Sequence, residues 1–307
     1  MSAPVLVLSA LAGRRIAVTG ATGFIGRALL RAVSERGARP VAVVRSPEKL
    51  GAVDLEARRA DLADVDALTA AFDGCDAIVA NAGLVSIGRQ SREALTRANV
   101  EGTRNVLEAA RRAGVRRIVM TSSATVYARR AGRVYEEDDA LWAEDARVAR
   151  PLYYAVSKAA AEREAWRFCE RHGLELSVAR PSGVYGEHDH SGLTPWLDRL
   201  ARVPLVTVFP AYMRVPMTYV GDLADAMLRM LERPIAAGRA YNVVGDPDVS
   251  FWQLFAAYRE ARGISRQLVV PIPVPIRYAY SLERARRELD YVNRSALAAF
   301  TAMLSAG

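Results

Sequence analysis

Cysteine and long apolar runs are scarce in this sequence of 307 residues. The two cysteines, Cys75 and Cys169, lie far apart, which argues against a disulfide framework and suits a reducing compartment. No apolar run in the sequence approaches the roughly 20 residues that span a bilayer. The apolar segment 4–12 has no basic residue before it, so it is not typical of a signal peptide. We therefore expect a cytoplasmic protein that does not associate with membranes.

Lysine is also scarce, since it occurs only as Lys49 and Lys158 and the other 40 of the 42 cationic residues are arginine. The formal net charge of +8 raises nucleic acid as a partner. The arginines, however, are spread along the chain without a sustained basic stripe or a docking motif, so we expect no nucleic-acid binding. In a chain that uses arginine almost everywhere, a lysine four residues after Tyr154 indicates a site that needs a compact ammonium.

Apolar runs rich in β-branched residues alternate with longer helical patterns over about the first 180 residues. This alternation predicts an α/β fold with a doubly wound parallel sheet of the Rossmann type, and residues 1–180 as a dinucleotide-binding domain. We expect strands over 15–19, 41–44, 77–80, 118–122 and 175–179, a shorter strand near 57–60, and helices over 24–36, 65–72, 92–113 and 153–172.

After Arg180 the sequence changes character, because frequent prolines divide it into short segments. Such a region predicts a small C-terminal substrate-binding subdomain over residues 181–307, with the chain returning to the sheet near 215–245. No low-complexity linker precedes it, so we expect the subdomain to pack closely over the carboxyl edge of the sheet.

The first predicted strand is followed by three glycines, Gly20, Gly23 and Gly26, which open the next predicted helix. Glycines allow a tight turn and a close approach of the backbone to pyrophosphate, which then lies against the helix N-terminus. A turn that merely connects two elements is the alternative. We expect the dinucleotide to bind along this turn, at Gly20, Thr22, Gly23, Phe24, Ile25 and Gly26.

The end of the second predicted strand distinguishes between the two nicotinamide cofactors. An acidic residue there would bind the adenosine ribose of NAD, whereas this chain has Arg45 and Ser46, which suit the 2′-phosphate of NADP. We therefore expect NADP (NADPH) to be preferred, with NAD as the other candidate; an ordinary surface arginine is the alternative. Asp61 and Leu62 follow the third strand and are expected near the adenine, unless Asp61 caps the helix that begins at Val65.

Tyr154 and Lys158 lie four residues apart and therefore share one face of a predicted helix. An ammonium beside a phenol lowers the phenol's pKa from about 10 and makes it a better general acid/base. The same lysine can bind the ribose of the nicotinamide. Ser123 follows a buried-looking strand, where it could donate a hydrogen bond to a substrate oxygen or, alternatively, satisfy local backbone groups.

Taken together, these motifs make the sequence resemble an extended short-chain dehydrogenase/reductase of the NAD-dependent epimerase/dehydratase family. The segments that match, in family order, are 19–26, 99–110, 122–127, 154–158 with Glu162, 180–186 and 219–224. The resemblance implies that Tyr154 is the acid/base, that Lys158 is its partner, that Ser123 binds the substrate and that Asn99 supports the site. It also implies cofactor contacts at Ala82, Pro181 and Val184, and substrate contacts at Tyr185 and His188.

The sequence departs from the family pattern at several positions. The segment 80–83 reads Ala-Asn-Ala-Gly rather than His-x-Ala-Ala, and Ala128 stands where a glycine is usual. Nucleotide-sugar members commonly carry an arginine where this chain has Val215, with Arg214 one position away. The segment 180–186 and Arg45 are more similar to the dihydroflavonol reductase and 3β-hydroxysteroid dehydrogenase branch.

We therefore expect an NAD(P)(H)-dependent oxidoreductase that interconverts a carbonyl and a secondary alcohol on a small molecule, by hydride transfer with a tyrosine acid/base. A nucleotide-sugar epimerase/dehydratase with an internally recycled cofactor is the first alternative, and a non-catalytic dinucleotide sensor is the second. His188, Asp189 and His190 form an incomplete ligand set, so we expect no metal. The family habit suggests a homodimer through the helices predicted over 92–113 and 153–172.

Overall fold

The computed structural model describes residues 9–301 apart from 52–54, 86–89, 129–131, 190–192, 204, 211–212, 215, 246–248, 265–267, 273–276 and 295–299, and only the backbone of 205–210, 269 and 271–272. The chain divides into two compact units, each made of three separate segments. The first unit comprises Met1–Ser122, Trp142–Val178 and Met227–Ala240, and the second comprises Ser123–Leu141, Ala179–Ala226 and Tyr241–Gly307.

The strands and helices are numbered along the chain. The strands are β1 (Arg15–Thr19), β2 (Arg39–Val44), β3 (Glu56–Arg59), β4 (Ala77–Ala80), β5 (Arg117–Thr121), β6 (Val134–Tyr135), β7 (Glu175–Pro181), β8 (Gly183–Tyr185), β9 (Leu205–Pro210), β10 (Met217–Tyr219), β11 (Arg239–Val243), β12 (Leu268–Ile272) and β13 (Ala279–Tyr280). The helices are α1 (Phe24–Glu35), α2 (Val65–Phe72), α3 (Arg92–Leu95), α4 (Gly102–Arg112), α5 (Tyr153–His172), α6 (Leu193–Ala201), α7 (Val220–Glu232), α8 (Phe251–Ala261) and α9 (Glu283–Leu289).

Seven strands form one parallel sheet in the order β11-β7-β5-β4-β1-β2-β3. The central strands are buried along nearly their whole length, as expected when helices cover both faces of a parallel sheet. The strand order changes direction between β1 and β4, and in such sheets the crevice at the carboxyl ends of these strands binds ligands. The predicted doubly wound α/β fold is therefore confirmed.

The hydrophobic core of the first unit joins the sheet to helices α2, α4 and α5. Its fully buried members include Phe72 of α2, Leu107 of α4 and Ala161 of α5, which pack with Ile78 and Ile118 of the central strands. Helix α1 ends where Gly37 adopts a left-handed φ of 69°, and Gly114 does the same after α4 with a φ of 74°. Both glycines thus end their helices.

The segment predicted as one helix over 92–113 is not uniformly α-helical. A π-helical turn, Thr96–Glu101, separates α3 from α4. Apolar periodicity did not reveal this change, because one wider turn hardly shifts a pattern that extends over three or four turns. The turn carries Asn99, whose side chain is buried.

The second unit contains three short parallel strand pairs, β8 with β10, β9 with β12 and β6 with β13. One of its cores is built from the aromatic and aliphatic side chains of Tyr185, Leu197, Leu254, Phe255 and Phe300. Helix α8 begins with a capping box in which the side chains of Ser250 and Gln253 satisfy each other's backbone N–H groups. In the described part of the chain, no helix is both long and apolar enough to cross a membrane.

Candidate active site

The glycine turn between β1 and α1 is closely packed. Gly20 has a left-handed φ of 66°, and a Cβ atom added to it would lie 2.9 Å from the Cα atom of Ala82. A Cβ atom on Gly26 would lie only 2.2 Å from the carbonyl oxygen of Gly20. Gly23 is the N-cap of α1 and supplies no side-chain acceptor, so the first N–H groups of the helix are not capped by a side chain. This arrangement suits a bound phosphate; Thr22 lies in the turn, and Phe24 and Ile25 are the first two residues of α1.

The carboxyl ends of three central strands are tied together beside this turn. The hydroxyl oxygen of Thr19, which ends β1, accepts hydrogen bonds from the backbone N–H groups of Asn81 and Ala82 at 3.1 and 3.0 Å. Thr121, which ends β5, donates from its hydroxyl to the side-chain oxygen of Asn81 at 3.1 Å. The predicted cofactor contact Ala82 is therefore held against the glycine turn.

Lys158 lies at the same edge of the sheet. Its Nζ atom donates to the carbonyl oxygen of Thr121 at 2.6 Å, and the residue is only 7% exposed. Burial lowers the pKa of the ammonium to about 8, although the carboxylate of Glu162 acts in the opposite direction. A lysine with this pKa is still largely charged at neutral pH.

Glu162 is a fully buried carboxylate one turn after Lys158 in α5. Its Oε2 atom accepts from the hydroxyl of Ser122 at 2.6 Å, and its Oε1 atom accepts from the indole N–H of Trp166 at 3.3 Å. Glu162 belongs to one of the segments that match the family, and the resemblance implies no separate role for it. The spacing of four residues indicated only that Glu162 lies near Lys158 on one helix face, since the hydrogen bond with Ser122 is a tertiary contact.

Tyr154 is half-buried in the first turn of α5, four residues before Lys158. Its carbonyl oxygen accepts from the hydroxyl of Ser157 at 2.8 Å, and that hydroxyl in turn accepts from the side-chain amide of Asn99 at 3.0 Å. Asn99 also exchanges two hydrogen bonds with the backbone of Leu84, at 2.8 and 3.1 Å. The π-helical turn thus places Asn99 so that it links α5 to the loop after β4.

Gly83 lies close to the side chains of Asn99 and Lys158. A Cβ atom added to it would lie 3.1 Å from the side-chain oxygen of Asn99 and 4.0 Å from the Nζ atom of Lys158. The structure thus brings together the glycine turn, Ala82, Asn99 and the helix that carries Tyr154 and Lys158.

Arg45 and Asp61 follow β2 and β3 and face each other. The Nε atom of Arg45 lies 4.0 Å from a carboxylate oxygen of Asp61, and their side chains are 80% and 53% exposed. Helix α2 is capped by Asp64, whose carboxylate accepts from the N–H of Ala67 at 2.9 Å. The alternative interpretation of Asp61 as the cap of that helix is therefore wrong. Leu62 packs against the start of α4, where its Cδ1 atom would lie 3.2 Å from a Cβ atom added to Gly102.

Ser123 belongs to the second unit, where it is the N-cap of a 3₁₀ turn, Ala124–Val126. Its hydroxyl oxygen accepts from the N–H of Thr125 at 3.2 Å and lies 2.9 Å from the hydroxyl oxygen of that residue. Ser123 therefore does satisfy a local backbone N–H group, which is the alternative role of this residue. This role uses Ser123 as an acceptor, so the O–H group can still donate to Thr125 or to a ligand.

The other predicted contacts in the second unit have different environments. Pro181 ends β7, and Val184 lies at the centre of β8 opposite Thr218 of β10. Tyr185 is only 1% exposed, and its ring lies 5.8 Å from that of Tyr219, a position that favours packing over contact with a ligand.

The histidine-rich loop follows β8. His188 adopts a left-handed φ of 65°, and the carboxylate of Asp189 accepts from the N–H of Thr194 at 3.1 Å. His190 lies outside the described residues. Within the residues whose placement is described, no three His, Cys, Asp or Glu side chains are grouped so that they could hold a metal ion.

The comparison with protein families identifies the chain. Residues 16–244 match the model of the NAD dependent epimerase/dehydratase family. The chain belongs to this family. As predicted, the protein is an NAD(P)-dependent enzyme of the extended short-chain dehydrogenase/reductase type.

Relatives with assigned activities include several reductases. A dihydroflavonol 4-reductase from Zea mays is 30% identical over 267 residues, which cover 80% of this chain and 73% of the relative. A cinnamoyl-CoA reductase from Arabidopsis thaliana is 31% identical over 250 residues, which cover 74% of this chain and 70% of the relative. Among solved structures, MoeE5 in complex with UDP-glucose and NAD is 26% identical with a TM-score of 0.77 and covers 95% of this chain and 97% of its own.

Proposed function

We propose that this member of the epimerase/dehydratase family is an NADP(H)-preferring reductase that interconverts a carbonyl and a secondary alcohol on a small molecule. The observation that carries the proposal is the position of Lys158, buried at the carboxyl edge of the sheet, on the helix of Tyr154 and beside Gly83. The reductase activities named for two relatives support the direction of the chemistry.

The residues of the first unit fit a dinucleotide. Gly26 leaves no room for a Cβ atom, and the helix end after Gly23 is not capped by a side chain, so the backbone N–H groups there can bind a pyrophosphate. Arg45 is 80% exposed at the end of β2, where a guanidinium can form charge-assisted hydrogen bonds with a 2′-phosphate. Asp61 beside it would lie near the adenine ring.

In this reaction each of the predicted catalytic residues has a distinct role. When bound, the nicotinamide supplies or accepts the hydride. Tyr154 donates a proton from its hydroxyl to the carbonyl oxygen in reduction and removes it in oxidation. Lys158 stabilises the phenolate that remains after donation and orients the ribose through its other N–H groups. Ser123 donates a hydrogen bond to the substrate oxygen, and Asn99 holds Ser157 and thereby the first turn of α5.

An epimerase or dehydratase acting on a nucleotide sugar is the second candidate. The observation in its favour is the similarity to MoeE5, whose structure contains UDP-glucose and NAD. Such an enzyme returns its cofactor to the starting redox state within each turnover, so it shows no net consumption of NADPH.

The two candidates are separated by incubating the purified protein with NADPH or NADH and a panel of ketones and aldehydes. UDP-glucose and dTDP-glucose serve as the nucleotide-sugar arm. Nicotinamide absorbance and product composition are followed together. We expect stoichiometric oxidation of NADPH with formation of an alcohol. Conversion of a nucleotide sugar without net oxidation of the cofactor would contradict the proposal and support the epimerase/dehydratase alternative.

A further inference from the structure

A buried polar network in the second unit is centred on Tyr127, four residues after Ser123. The hydroxyl of Tyr127 donates to the side-chain oxygen of Asn242 at 2.5 Å and accepts from the Nη1 atom of Arg180 at 2.9 Å. The exposures of these residues are 2% for Tyr127, 0% for Asn242 and 3% for Arg180. Burying a cation costs free energy unless its N–H donors are satisfied. Arginine is abundant at the surface of this chain, so the burial of Arg180 needs a specific structural reason.

Arg180 is held by several partners in this network. The same Nη1 atom donates to the carbonyl oxygen of Glu137 at 2.7 Å, and the guanidinium carbon lies 5.0 Å from the ring centre of Tyr127. The Glu137 carboxylate accepts from the N–H of Asn242 at 3.0 Å and lies 4.0 Å from Arg284. Burial raises the pKa of that carboxyl, while both arginines act to lower it.

The network holds Tyr127 at the end of the turn that begins with Ser123. The 3₁₀ turn Ala124–Val126 has a backbone hydrogen bond between residues three apart, from the N–H of Val126 to the carbonyl oxygen of Ser123 at 3.1 Å. So short a turn has little rigidity by itself. A second contact comes from Tyr280, whose hydroxyl donates to the carbonyl oxygen of Ala124 at 3.3 Å.

Three clustered tyrosine rings, of which those of Tyr127 and Tyr135 are stacked, reinforce the attachment. The ring of Tyr127 lies 5.1 Å from that of Tyr135 and 5.9 Å from that of Tyr280. Asn242 also donates to the carbonyl oxygen of Tyr135 at 3.3 Å, so the polar network and the aromatic stack share their members. The turn is thus attached through Tyr127, the residue that follows it, and through the carbonyl group of its first residue, Ala124.

We propose that Tyr127, Arg180 and Asn242 are positioning residues that fix the orientation of the Ser123 hydroxyl. The catalytic part of this inference rests on the proposed function, in which Ser123 binds the substrate oxygen. The structural part does not, because the rigidity of the turn can be measured without any substrate. Loss of the Tyr127 hydroxyl leaves the stacked rings in place and removes only the polar attachment.

The first experiment is amide hydrogen exchange of the full-length protein with Tyr127→Phe. The matched control is Tyr241→Phe, since the hydroxyl of this fully buried tyrosine donates to Glu288 at 2.8 Å in the same unit, and its side chain points to the opposite face of β11 from that of Asn242. The loss of the two hydrogen bonds of the Tyr127 hydroxyl should accelerate exchange of the Thr125–Tyr127 amides by at least about fivefold in Tyr127→Phe, and not in the control. Unchanged exchange in the turn, or equal acceleration throughout the unit, would overturn the inference.

The second experiment compares turnover of the carbonyl substrate identified with NADPH. We expect Tyr127→Phe to lower kcat by about tenfold while the dissociation constant for NADPH is unchanged, because the nucleotide turn is not altered. Adding Tyr127→Phe to Ser123→Ala should have no further effect, since the hydroxyl to be oriented is absent. Additive effects of the two substitutions would overturn the positioning role. If Ser123→Ala alone retains full turnover, the proposed role of Ser123 fails. The hydrogen-exchange result alone then tests whether Tyr127, Arg180 and Asn242 hold the turn in place.

Discussion

The Nζ atom of Lys158 lies 2.6 Å from the carbonyl oxygen of Thr121, so a helical side chain is fixed to the carboxyl end of a central strand. The cation is buried there, and burial lowers its pKa to about 8. Because one turn of α5 separates it from Tyr154, this single hydrogen bond also fixes the helix face on which the phenol lies.

The lowered pKa of Lys158 predicts how stability depends on pH. Unfolded lysine keeps its proton up to about pH 10.5, whereas the folded residue loses it near pH 8. Between these values the unfolded state binds more protons, so the free energy of unfolding of the wild type should rise with pH relative to Lys158→Met. Denaturant unfolding of both proteins from about pH 7 to pH 10 measures this difference. A difference that stays constant over the range would show that Lys158 is not perturbed in this way.

The glycine turn predicts different outcomes for two similar substitutions. Gly26→Ala places a Cβ atom 2.2 Å from the carbonyl oxygen of Gly20, so it should lower the free energy of unfolding by about 1–3 kcal/mol and also weaken nucleotide binding. Gly23→Ala places its Cβ atom 3.2 Å from the same oxygen at a negative φ of −76°. We expect it to retain most of its stability and to weaken nucleotide binding alone. Thermal unfolding and nucleotide titration of both variants test this; equal destabilisation by the two would contradict it.

Ser122 and Ser123 are neighbours, but their replacement should affect different properties, stability for Ser122 and turnover for Ser123. Ser122→Ala removes the donor to the fully buried carboxylate of Glu162 and should destabilise the fold by about 1–3 kcal/mol. Ser123→Ala should change stability less, since its oxygen accepts one local N–H bond, and should mainly lower turnover. Denaturant unfolding and steady-state kinetics of the two variants test this. If Ser122→Ala mainly lowered turnover and Ser123→Ala mainly lowered stability, the roles assigned to the two serines would be wrong.

Arg45 predicts the cofactor preference. Replacement of Arg45 by aspartate removes the cation for a 2′-phosphate and supplies an acceptor for ribose hydroxyls, so the affinity for NADPH should fall by about ten- to a hundredfold while NADH gains. Arg59→Asp is a control, because this residue is an exposed arginine at the end of β3 that pairs at 3.8 Å with Glu48. Fluorescence titration with both nucleotides gives the result. If the wild type already prefers NADH, the interpretation of Arg45 is incorrect.

The fold was predictable because strands and helices differ in apolar period, and because the glycines after β1 have few other uses in such a pattern. The Tyr154 and Lys158 pair was visible as a spacing. The π-helical turn at Asn99 and the pairing of Ser122 with Glu162 were not, since they depend on tertiary contacts between α5, β5 and the loop after β4. Burial of Tyr185 in the core of the second unit was hidden for the same reason, because sequence motifs do not show which side of a short strand faces solvent.

The central claim is that Tyr154 transfers the proton during net reduction of a carbonyl. The most direct measurement is single-turnover oxidation of NADPH by the wild type and by Tyr154→Phe, with nucleotide affinity determined for both. The account predicts stoichiometric oxidation by the wild type, and oxidation about 10²- to 10⁴-fold slower in the variant with unchanged NADPH binding. Equal rates in the two proteins, or substrate conversion by the wild type without net oxidation of NADPH, would contradict it.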